Sequence, residues 1–275
     1  MKFSVLLSLY HKENPDHLRQ ALTSVFEQTS MPTEVVLVED GPLTKGLDTV
    51  VAEFVTLHPE IKLIRLAKNV GLGHALNLGL EHCTYDLVAR MDTDDICKPN
   101  RFERQLEMFE KRPELDVVSG AIDEFEGTID HIISVRKIPE LHHQIMCYGR
   151  HRNPINHPVV MFRKTAINRA GGYMDFPFFE DYYLWVRMLL NGAVFYNIQD
   201  SLLFFRTTKE MFRRRGGFQY ACNEIVFQRT INKLGYINRE TMWMNIFIRF
   251  NTRLIPNCVR SFIYRHFLRN NDSID

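Results

Sequence analysis

The chain has 275 residues, of which 45% are hydrophobic and 24% are charged, so its composition is that of a globular protein with one large core. A net charge of +1 gives no overall field for nucleic acid, and five widely spaced cysteines without metal-binding spacing favour inert thiols in a reducing compartment. The charge is unevenly distributed, however. Residues 1–200 contain 21 Lys and Arg against 28 Asp and Glu, whereas residues 201–275 contain 13 against 5, which predicts that the C-terminal segment meets an anionic partner.

Strand and helix patterns alternate through the first third of the chain. Apolar runs predict four strands, at residues 3–9, 33–41, 61–67 and 85–91. Helical repeats lie between them, at residues 13–29, where Asn14 can cap and Pro15 suits the first turn, at 47–57, and at 69–83 after a glycine-rich turn. This alternation predicts right-handed βαβ units, a mostly parallel sheet flanked by helices and therefore an α/β fold.

The patterns are less periodic farther along the chain. Pro99–Lys111 is predicted as a helix, residues 115–123 as a strand, residues 157–173 as a strand and helix with a glycine stop, and residues 178–197 as a helix that follows two acids. Residues 122–150 are predicted to be irregular. The sequence has no internal repeat and no run of about 18 apolar residues, so no transmembrane helix is expected.

Polar residues follow three of the predicted strands at their carboxyl ends, where open α/β sheets bind ligands. These residues are Ser8 and Tyr10 after the first strand, Glu39 and Asp40 after the second, and Asp92, Asp94 and Asp95 after the fourth. Because parallel strands end at the same edge of a sheet, the topology predicts that they share one polar site.

The three aspartates raise one another's pKa values unless a cation joins them. Asp92 and Asp94 are two residues apart on an extended chain, so both carboxylates point the same way and offer the hard oxygen ligands that Mn²⁺ and Mg²⁺ prefer. The alternative is an acidic surface turn, in which Asp is common. The position at the end of a buried strand favours the metal site.

Other polar residues have two interpretations each. Asp40 is either a solvated strand end or the acceptor for a nucleobase N–H, and the pair Glu180-Asp181 either stabilises a helix N-terminus or supplies a general base. The glycine-rich segment at 69–79 does not match a phosphate-binding loop, so Asn69 is expected to satisfy a turn. His157 is expected to be structural, and Arg213–Arg215 to be a solvated loop or a site that neutralises a diphosphate.

Six segments in this order resemble the inverting family 2 glycosyltransferases with the GT-A fold. They are SLYHKENPDHLRQALTSVFEQT, VVLVEDG, NVGLGHALNLGL, YDLVARMDTDDICKPNRFERQ, HPVVMFRK and GGYMDFPFFEDYYLWVRM, which together span about residues 3–205. The resemblance implies a GT-A domain at 1–205, with a Rossmann-like sheet, and a basic amphipathic helical extension at 206–275. Family members often have Asp where this chain has Glu39.

The resemblance also implies roles for single residues. Asp92 and Asp94 would form an Asp-x-Asp motif that holds Mn²⁺ or Mg²⁺, and Asp181 would be the catalytic base of a single displacement that inverts configuration. Ser8, Tyr10 and Asp40 would surround the uridine, and Asp95 would lie at the sugar end. The full set implied to bind substrate is Ser8, Tyr10, Asp40, Asn69, Asp92, Asp95 and Glu180.

The implied function is transfer of one hexose, glucose or galactose, from a UDP-sugar to a polyprenyl-diphosphate-linked sugar in bacterial O-antigen or exopolysaccharide assembly. A β-1,3 linkage to an N-acetylhexosamine is the linkage expected from the resemblance. The Gln-x-x-Arg-Trp motif of processive members is absent, which favours transfer of a single sugar. Two alternatives stay open: a sugar-nucleotide pyrophosphorylase, for which Lys12 lacks the accompanying glycines, and a non-catalytic metal-binding scaffold.

The C-terminal extension mixes aromatic and basic residues, as in MWMNIFIRFNTRLIPNCVRSFIYRHFLRNN at 242–271. This composition suits an anionic membrane surface and predicts a cytoplasmic protein held peripherally on the cytoplasmic face of the inner membrane. The alternatives are a helix packed on the catalytic domain or at a homodimer interface. Aromatic residues interleaved with Arg can also bind RNA, but no RNA-binding motif accompanies them, so nucleic acid is not expected.

Overall fold

The structure is a computed structural model, which describes residues 1–208 and 217–254. Arg213–Arg215 and residues 255–275 of the predicted basic extension therefore lie outside the described residues. Within the described residues, nine strands form one sheet: β1 (Ser4–Leu9), β2 (Glu34–Glu39), β3 (Ile61–Arg65), β4 (Leu87–Asp92), β5 (Ile96–Cys97), β6 (Val117–Phe125), β7 (Ile132–Arg136), β8 (Met161–Arg163) and β9 (Phe195–Arg206).

The helices cover both faces of this sheet. They are α1 (Pro15–Phe26), α2 (Lys45–Leu57), α3 (Leu72–His82), α4 (Arg101–Lys111), α5 (His142–Gly149), α6 (Lys164–Arg169), α7 (Glu180–Leu190), α8 (Phe218–Lys233) and α9 (Arg239–Leu254), and a 3₁₀ turn spans His157–Val159. Asn14 caps α1 as predicted, since its Oδ1 accepts a hydrogen bond from the Asp16 N–H at 2.8 Å.

The strand order is β3-β2-β1-β4-β8-β6-β9-β5, and β7 pairs with β6. β1, β2, β3 and β4 are parallel, and β6 and β9 share their direction, because the reversed strand β8 lies between β4 and β6. The short strands β5 and β7 are antiparallel to β9 and β6. The α/β fold with a mostly parallel sheet is thus confirmed. Leu18 and Phe102, from α1 and α4, pack on one face, whereas Leu76 and Leu184, from α3 and α7, pack on the other.

Two parts of the chain differ from the sequence-based expectation. Residues 122–150, predicted to be irregular, contain the end of β6, the strand β7 and the helix α5. β9 was not predicted, because Asn197, Gln199 and Asp200 interrupt its apolar pattern. It pairs in parallel with the buried strand β6, and its register shifts near Gly120, so this strand is specified by its neighbour in the sheet.

The helices α8 and α9 lie on the same face as α3 and α7. Phe227, Ile231, Met242 and Ile246 belong to the core cluster that also contains Leu184. The described part of the predicted extension therefore packs on the α/β sheet and its helices. Within residues 1–208 and 217–254, no helix combines the length and the apolar character needed to cross a bilayer.

Candidate active site

Three predicted site residues lie on the face of the sheet that carries α3 and α7. Leu6, Val38 and Val88 are in that core cluster, and side chains alternate along a strand, so Ser8, Asp40 and Asp92 follow on the same face. In the ladder, Ser8 lies opposite Val38 on one side and opposite Asp92 on the other. The helix α7, which begins with Glu180 and Asp181, covers this face. Tyr10 follows β1 and is half-buried beside His11.

Asp92 already has a cationic partner within the protein. Arg90, two residues earlier on the same strand face, is buried and donates through both terminal nitrogens to the Asp92 carboxylate, with Nη1 2.5 Å from Oδ2. A fork of this kind fixes the orientation of the carboxylate. Arg90 was not singled out from the sequence, although its spacing from Asp92 would have placed both side chains on one face. Its charge also lowers the pKa values of Asp94 and Asp181.

Asp94 and Asp95 form the less compensated part of the acidic cluster. Burial, followed by the charge of Asp92, raises the pKa of Asp94 to about 6. Burial and then Asp94 and Asp92 raise the pKa of the fully buried Asp95 well above its usual value. Arg206, at the end of β9, partly offsets this repulsion: its backbone N–H donates to Asp95 Oδ1 at 2.8 Å and its Nε to the Asp94 carbonyl at 2.8 Å.

The acidic cluster fits a divalent cation. Asp92, Asp94 and Asp95 each offer a carboxylate oxygen, and these oxygens lie within 4.8 Å of one another. Asp95 Oδ2 is buried and accepts no hydrogen bond from the described residues, so this oxygen is available to a cation. Carboxylate oxygens are hard ligands that suit Mg²⁺ and Mn²⁺. The geometry therefore adds Asp95 to the two residues that the sequence assigns to the metal.

The Asp40 carboxylate is hydrogen-bonded to the loop that precedes α3. Its carboxylate accepts from the Asn69 Nδ2 at 2.9 Å, the Val70 N–H at 2.6 Å and the Gly71 N–H at 3.1 Å. The loop can come this close because Gly41 has no side chain: a Cβ there would lie 2.6 Å from the Asn69 nitrogen, and its φ of +90° is strained for other residues. Asn69 thus satisfies a turn, as predicted, and Asp40 keeps about one of its four acceptor positions free for a ligand.

Asp181 is half-buried at the start of α7 and has two hydrogen-bond donors. The Asn153 Nδ2 donates to its Oδ2 at 2.6 Å, and the Tyr182 N–H donates to its Oδ1 at 2.7 Å. Burial raises the pKa of Asp181, while these donors and then Arg90 and Arg136 lower it. A carboxylate with a raised pKa that is held in one orientation is suited to accept a proton. Burial likewise raises the pKa of the neighbouring Glu180, whose Cγ would lie 3.8 Å from a side chain at Gly73 of α3.

His157 has a structural environment, as predicted. It is buried, its Nε2 lies 2.8 Å from the Tyr173 hydroxyl, and its ring contacts Trp185 edge to face. Burial and then Arg90 lower its pKa well below the usual value, so the ring is neutral near pH 7.

Sequence reasoning missed three residues that shape this site: Arg90, Arg206 and Asn153. Only Arg90 had a local signal. Arg206 reaches Asp95 across 111 positions and Asn153 reaches Asp181 across 28, so neither contact follows from spacing.

Comparisons with known proteins agree with this architecture. Residues 4–170 match the family described as "Glycosyl transferase family 2". The chain is 40% identical over 268 residues to the Escherichia coli "UDP-Gal:alpha-D-GlcNAc-diphosphoundecaprenol beta-1,3-galactosyltransferase", with 98% of this chain and 97% of that one covered. It is also 40% identical over 265 residues to the Erwinia amylovora "Amylovoran biosynthesis glycosyltransferase AmsE", with 95% and 97% covered.

Two solved structures share the fold at low sequence identity. S. aureus TarS in complex with UDP-GlcNAc superposes with a TM-score of 0.65 at 16% identity and covers 98% of this chain and 73% of its own. The mannosyltransferase PcManGT from Pyrobaculum calidifontis, in complex with GDP-Man and Mn²⁺, gives 0.59 at 17% identity and covers 82% and 61%.

Proposed function

The chain belongs to glycosyl transferase family 2, and from that premise we propose that it transfers one hexose from a UDP-sugar to a polyprenyl-diphosphate-linked sugar. The observation that carries the proposal is the convergence of the acidic cluster and the half-buried base candidate Asp181 on one face of the sheet. The E. coli relative is named for UDP-galactose and a GlcNAc-diphospholipid, which supports galactose as the hexose and a β-1,3 linkage. The Erwinia relative, named for amylovoran biosynthesis, supports a role in assembling a bacterial surface polysaccharide.

The donor would bind along the ends of β1, β2 and β4. Ser8, Tyr10 and Asp40 would surround the uridine. Asp40 acts in two ways, through its remaining acceptor position and through the 69–71 loop, which it holds by hydrogen bonds. Residues 1–275 lack the processive Gln-x-x-Arg-Trp motif, which supports release after a single transfer.

The acidic cluster would hold the metal and the diphosphate end of the donor. Asp92 and Asp94 would bind Mn²⁺ or Mg²⁺, with Asp95 as a further oxygen ligand beside the sugar. Such an ion, when bound, offsets the negative charge that grows on the departing diphosphate. Arg90 holds Asp92 in a fixed orientation, and Arg206 keeps the loop at 94–95 against β9.

Asp181 would supply the proton transfer. Its carboxylate removes the proton from the acceptor hydroxyl while the hydroxyl oxygen forms the new bond to the anomeric carbon. The bond from that carbon to the diphosphate oxygen breaks, and its electron pair leaves with UDP. Attack from the side opposite the leaving group inverts configuration, and no covalent sugar–enzyme intermediate forms. Burial raises the pKa of Asp181, which makes it a stronger base than a solvated aspartate.

The experiment is a transfer assay in which a panel of UDP-sugars is offered to a synthetic GlcNAc-diphosphate-lipid with Mn²⁺. We expect one UDP-hexose to be used, and we expect Asp181→Asn and Asp94→Ala to lose at least ~100-fold in rate. Asp200→Asn is the matched control, because Asp200 forms an exposed pair with Arg104. Near-normal turnover in Asp181→Asn and Asp94→Ala would contradict the mechanism, and release of pyrophosphate from UTP and a sugar phosphate would identify a nucleotidyltransferase.

The helix α9 would attach the enzyme to the membrane that carries its acceptor. Trp243, Met244, Phe247 and Ile248 lie on one side of this helix, and Trp243 and Phe247 are 57% and 73% exposed. Exposed aromatic and aliphatic side chains on one helix face, together with arginines at positions 253, 260, 265 and 269 of the sequence, are typical of segments that lie in an anionic membrane interface. We place the protein peripherally on the cytoplasmic face of the inner membrane.

Vesicle flotation tests this attachment. The protein should float with vesicles that contain phosphatidylglycerol, and Trp243→Ser combined with Phe247→Ser should reduce the floating fraction. Light scattering on both proteins tests the other occupant of this face, a second copy of the chain. If the wild-type protein is a dimer, the double variant is a monomer and flotation is unchanged, the face is a dimer interface and the membrane assignment is wrong.

A further inference from the structure

We infer that the C-terminal helical hairpin α8–α9 is a positioning element for the catalytic base, and that Asn245 of α9 acts on Asp181 through the loop at residues 150–153. This inference rests on the proposed function only in that it takes Asp181 as the base. It assigns a catalytic consequence to helices that lie after the region matched by the family.

The loop at 150–153 joins the hairpin to Asp181. At one end, Asn153 donates to the Asp181 carboxylate at 2.6 Å. At the other end, the Asn245 Nδ2 donates to the Arg150 carbonyl at 2.8 Å, and the Asn245 Oδ1 lies 3.1 Å from the His151 Nδ1. Two side-chain atoms of one α9 residue therefore fix two consecutive residues of the loop that carries the partner of the base.

The hairpin side of this contact is a buried polar network. The Asn245 Nδ2 also donates to the Gln228 Oε1 at 2.9 Å, and the Gln228 Nε2 donates to the Glu224 Oε1 at 3.2 Å. Arg249 pairs with Glu224 at 3.1 Å and donates to the His151 carbonyl. Glu224 and Gln228 are fully buried and Asn245 is 4% exposed.

Burying a polar network between two helices costs free energy. Apolar residues would pack α8 against α9 at least as well, since buried polar and charged groups lose hydration. The polar groups instead provide directional hydrogen bonds. Those of Asn245 and Arg249 run from the hairpin to backbone and side-chain atoms of the loop at 150–153. This arrangement fixes the loop in one position, which a hydrophobic contact would do less sharply.

A second contact runs from the hairpin to the other side of Asp181. Phe227 of α8 stacks on Phe179 with ring centroids 4.8 Å apart and contacts Tyr182 at 4.6 Å. Phe179 and Tyr182 flank Glu180 and Asp181 in the chain. The Tyr182 hydroxyl in turn donates to the Gly149 carbonyl at 2.6 Å, just before the loop. The hairpin thus supports both the helix that carries the base and the loop that orients it.

The competing view is that the core alone holds Asn153. The Asn197 Nδ2 donates to the Pro154 carbonyl at 3.1 Å, and the Asn156 Nδ2 donates to the Gly120 carbonyl at 2.8 Å, so residues 154–156 are tied to the sheet. In that view the hairpin affects stability only. The two views differ in what a variant at Asn245 does to turnover when the protein is still folded.

The test is a double-mutant cycle between Asn245 and Asn153 in the full-length enzyme. Asn245→Ala and Asn245→Leu both remove the bonds to the loop, and Leu fills the space that Ala leaves empty. Melting temperatures and far-ultraviolet circular dichroism first establish that each variant is folded. We expect both variants to lose about tenfold in kcat while the donor KM changes by less than about twofold, because donor binding lies at the ends of β1, β2 and β4.

The cycle identifies the route. In an Asn153→Ala background, Asn245→Ala should cause little further loss of kcat, because the bond through which it acts is already gone. The matched control is Asn223→Ala, on α8, whose side chain accepts from Gln219 and should leave kcat unchanged. Folded Asn245 variants with wild-type kcat, losses that multiply fully with those of Asn153→Ala, or an equal loss in Asn223→Ala would each overturn the inference. If Asp181→Asn is as active as wild type, the base assignment itself has failed and the inference falls with it.

Discussion

Replacing Asn153 with alanine should move the acidic limb of the enzyme's pH profile to higher pH. The Asn153 Nδ2 donates to the half-buried Asp181 carboxylate at 2.6 Å and favours its ionised form, so it lowers a pKa that burial has raised. A base works only when it is deprotonated. Activity therefore falls as the pH drops through the pKa of Asp181, and the variant should begin to fall at a higher pH.

The size of the shift follows from the strength of the bond. A hydrogen bond to a buried charged group is worth about 1.5–3 kcal/mol, and about 1.4 kcal/mol corresponds to one pKa unit. Loss of the Asn153 bond should therefore move the acidic limb of the profile to higher pH by about 1–2 units. At a pH below both limbs, this corresponds to a loss of roughly 10- to 100-fold in kcat, whereas on the plateau the loss is smaller.

The assay is kcat against pH at saturating donor, acceptor and Mn²⁺, so that ionisation of the metal ligands does not set the limb. Asn168→Ala, an exposed change on α6, is the matched control and should leave the profile unchanged. Asp181→Asn should abolish the limb together with the activity. A uniform loss of kcat in Asn153→Ala, with the limb at the wild-type pH, would refute this account of how the base is tuned.

Three further outcomes follow from the same contacts. Because the pKa of Asp94 is raised to about 6, its protonated form stabilises the metal-free fold at low pH, and that stabilisation is lost as the pH rises through 6. The melting temperature without Mn²⁺ should therefore fall between pH 5 and pH 8, and it should fall less in Asp94→Asn. An equal pH dependence in the two proteins would count against the raised pKa of Asp94. Arg90→Met leaves the Asp92 carboxylate unpaired and should lower the free energy of unfolding by about 3–5 kcal/mol in denaturant titrations. Arg104→Met, which breaks the exposed pair with Asp200, should lower it by at most about 1 kcal/mol. Similar losses in the two variants would be evidence against a structural role for the Arg90–Asp92 pair. Gly41→Ala should lower the free energy of unfolding by about 1–3 kcal/mol or more in the same titrations, because it combines a positive φ with a Cβ 2.6 Å from the Asn69 nitrogen. An unchanged denaturation midpoint would show that the 69–71 loop moves away without cost.

The C-terminal hairpin has two proposed functions, contact with the membrane and support of the base. The exposed face of α9 is the proposed membrane contact, and the buried face of the same helix holds the loop of Asn153. If the helix carries both, its attachment to a bilayer places the acceptor end of the site next to the lipid-linked sugar. Flotation and kcat can be separated experimentally because Trp243 and Asn245 lie on different sides of the helix.

The sequence by itself determined the sheet edge and the residues at it. The strand and helix periods, the Asn14 cap and the right-handed βαβ connection act over short distances, so they indicated that Ser8, Asp40 and Asp92 would end neighbouring strands. The observed registers, with Ser8 opposite Asp92, agree with that prediction. The roles of these residues as uridine and metal ligands stay predictions, since they depend on substrate.

Only the tertiary structure decided how each acid is tuned. The structure shows that Asp40 is hydrogen-bonded to a loop, that Arg90 faces Asp92 and that Asn153 orients Asp181. Such features depend on contacts between residues far apart in sequence, such as Arg206 with Asp95, across 111 positions, and Asn245 with Arg150, across 95. Such contacts have no period and no motif, because they arise where separately specified elements pack together. Asp181 shows the division most clearly: its position at a helix start can be read locally, but its raised pKa and its bond to Asn153 exist only once the loop at 150–153 lies between α7 and α9.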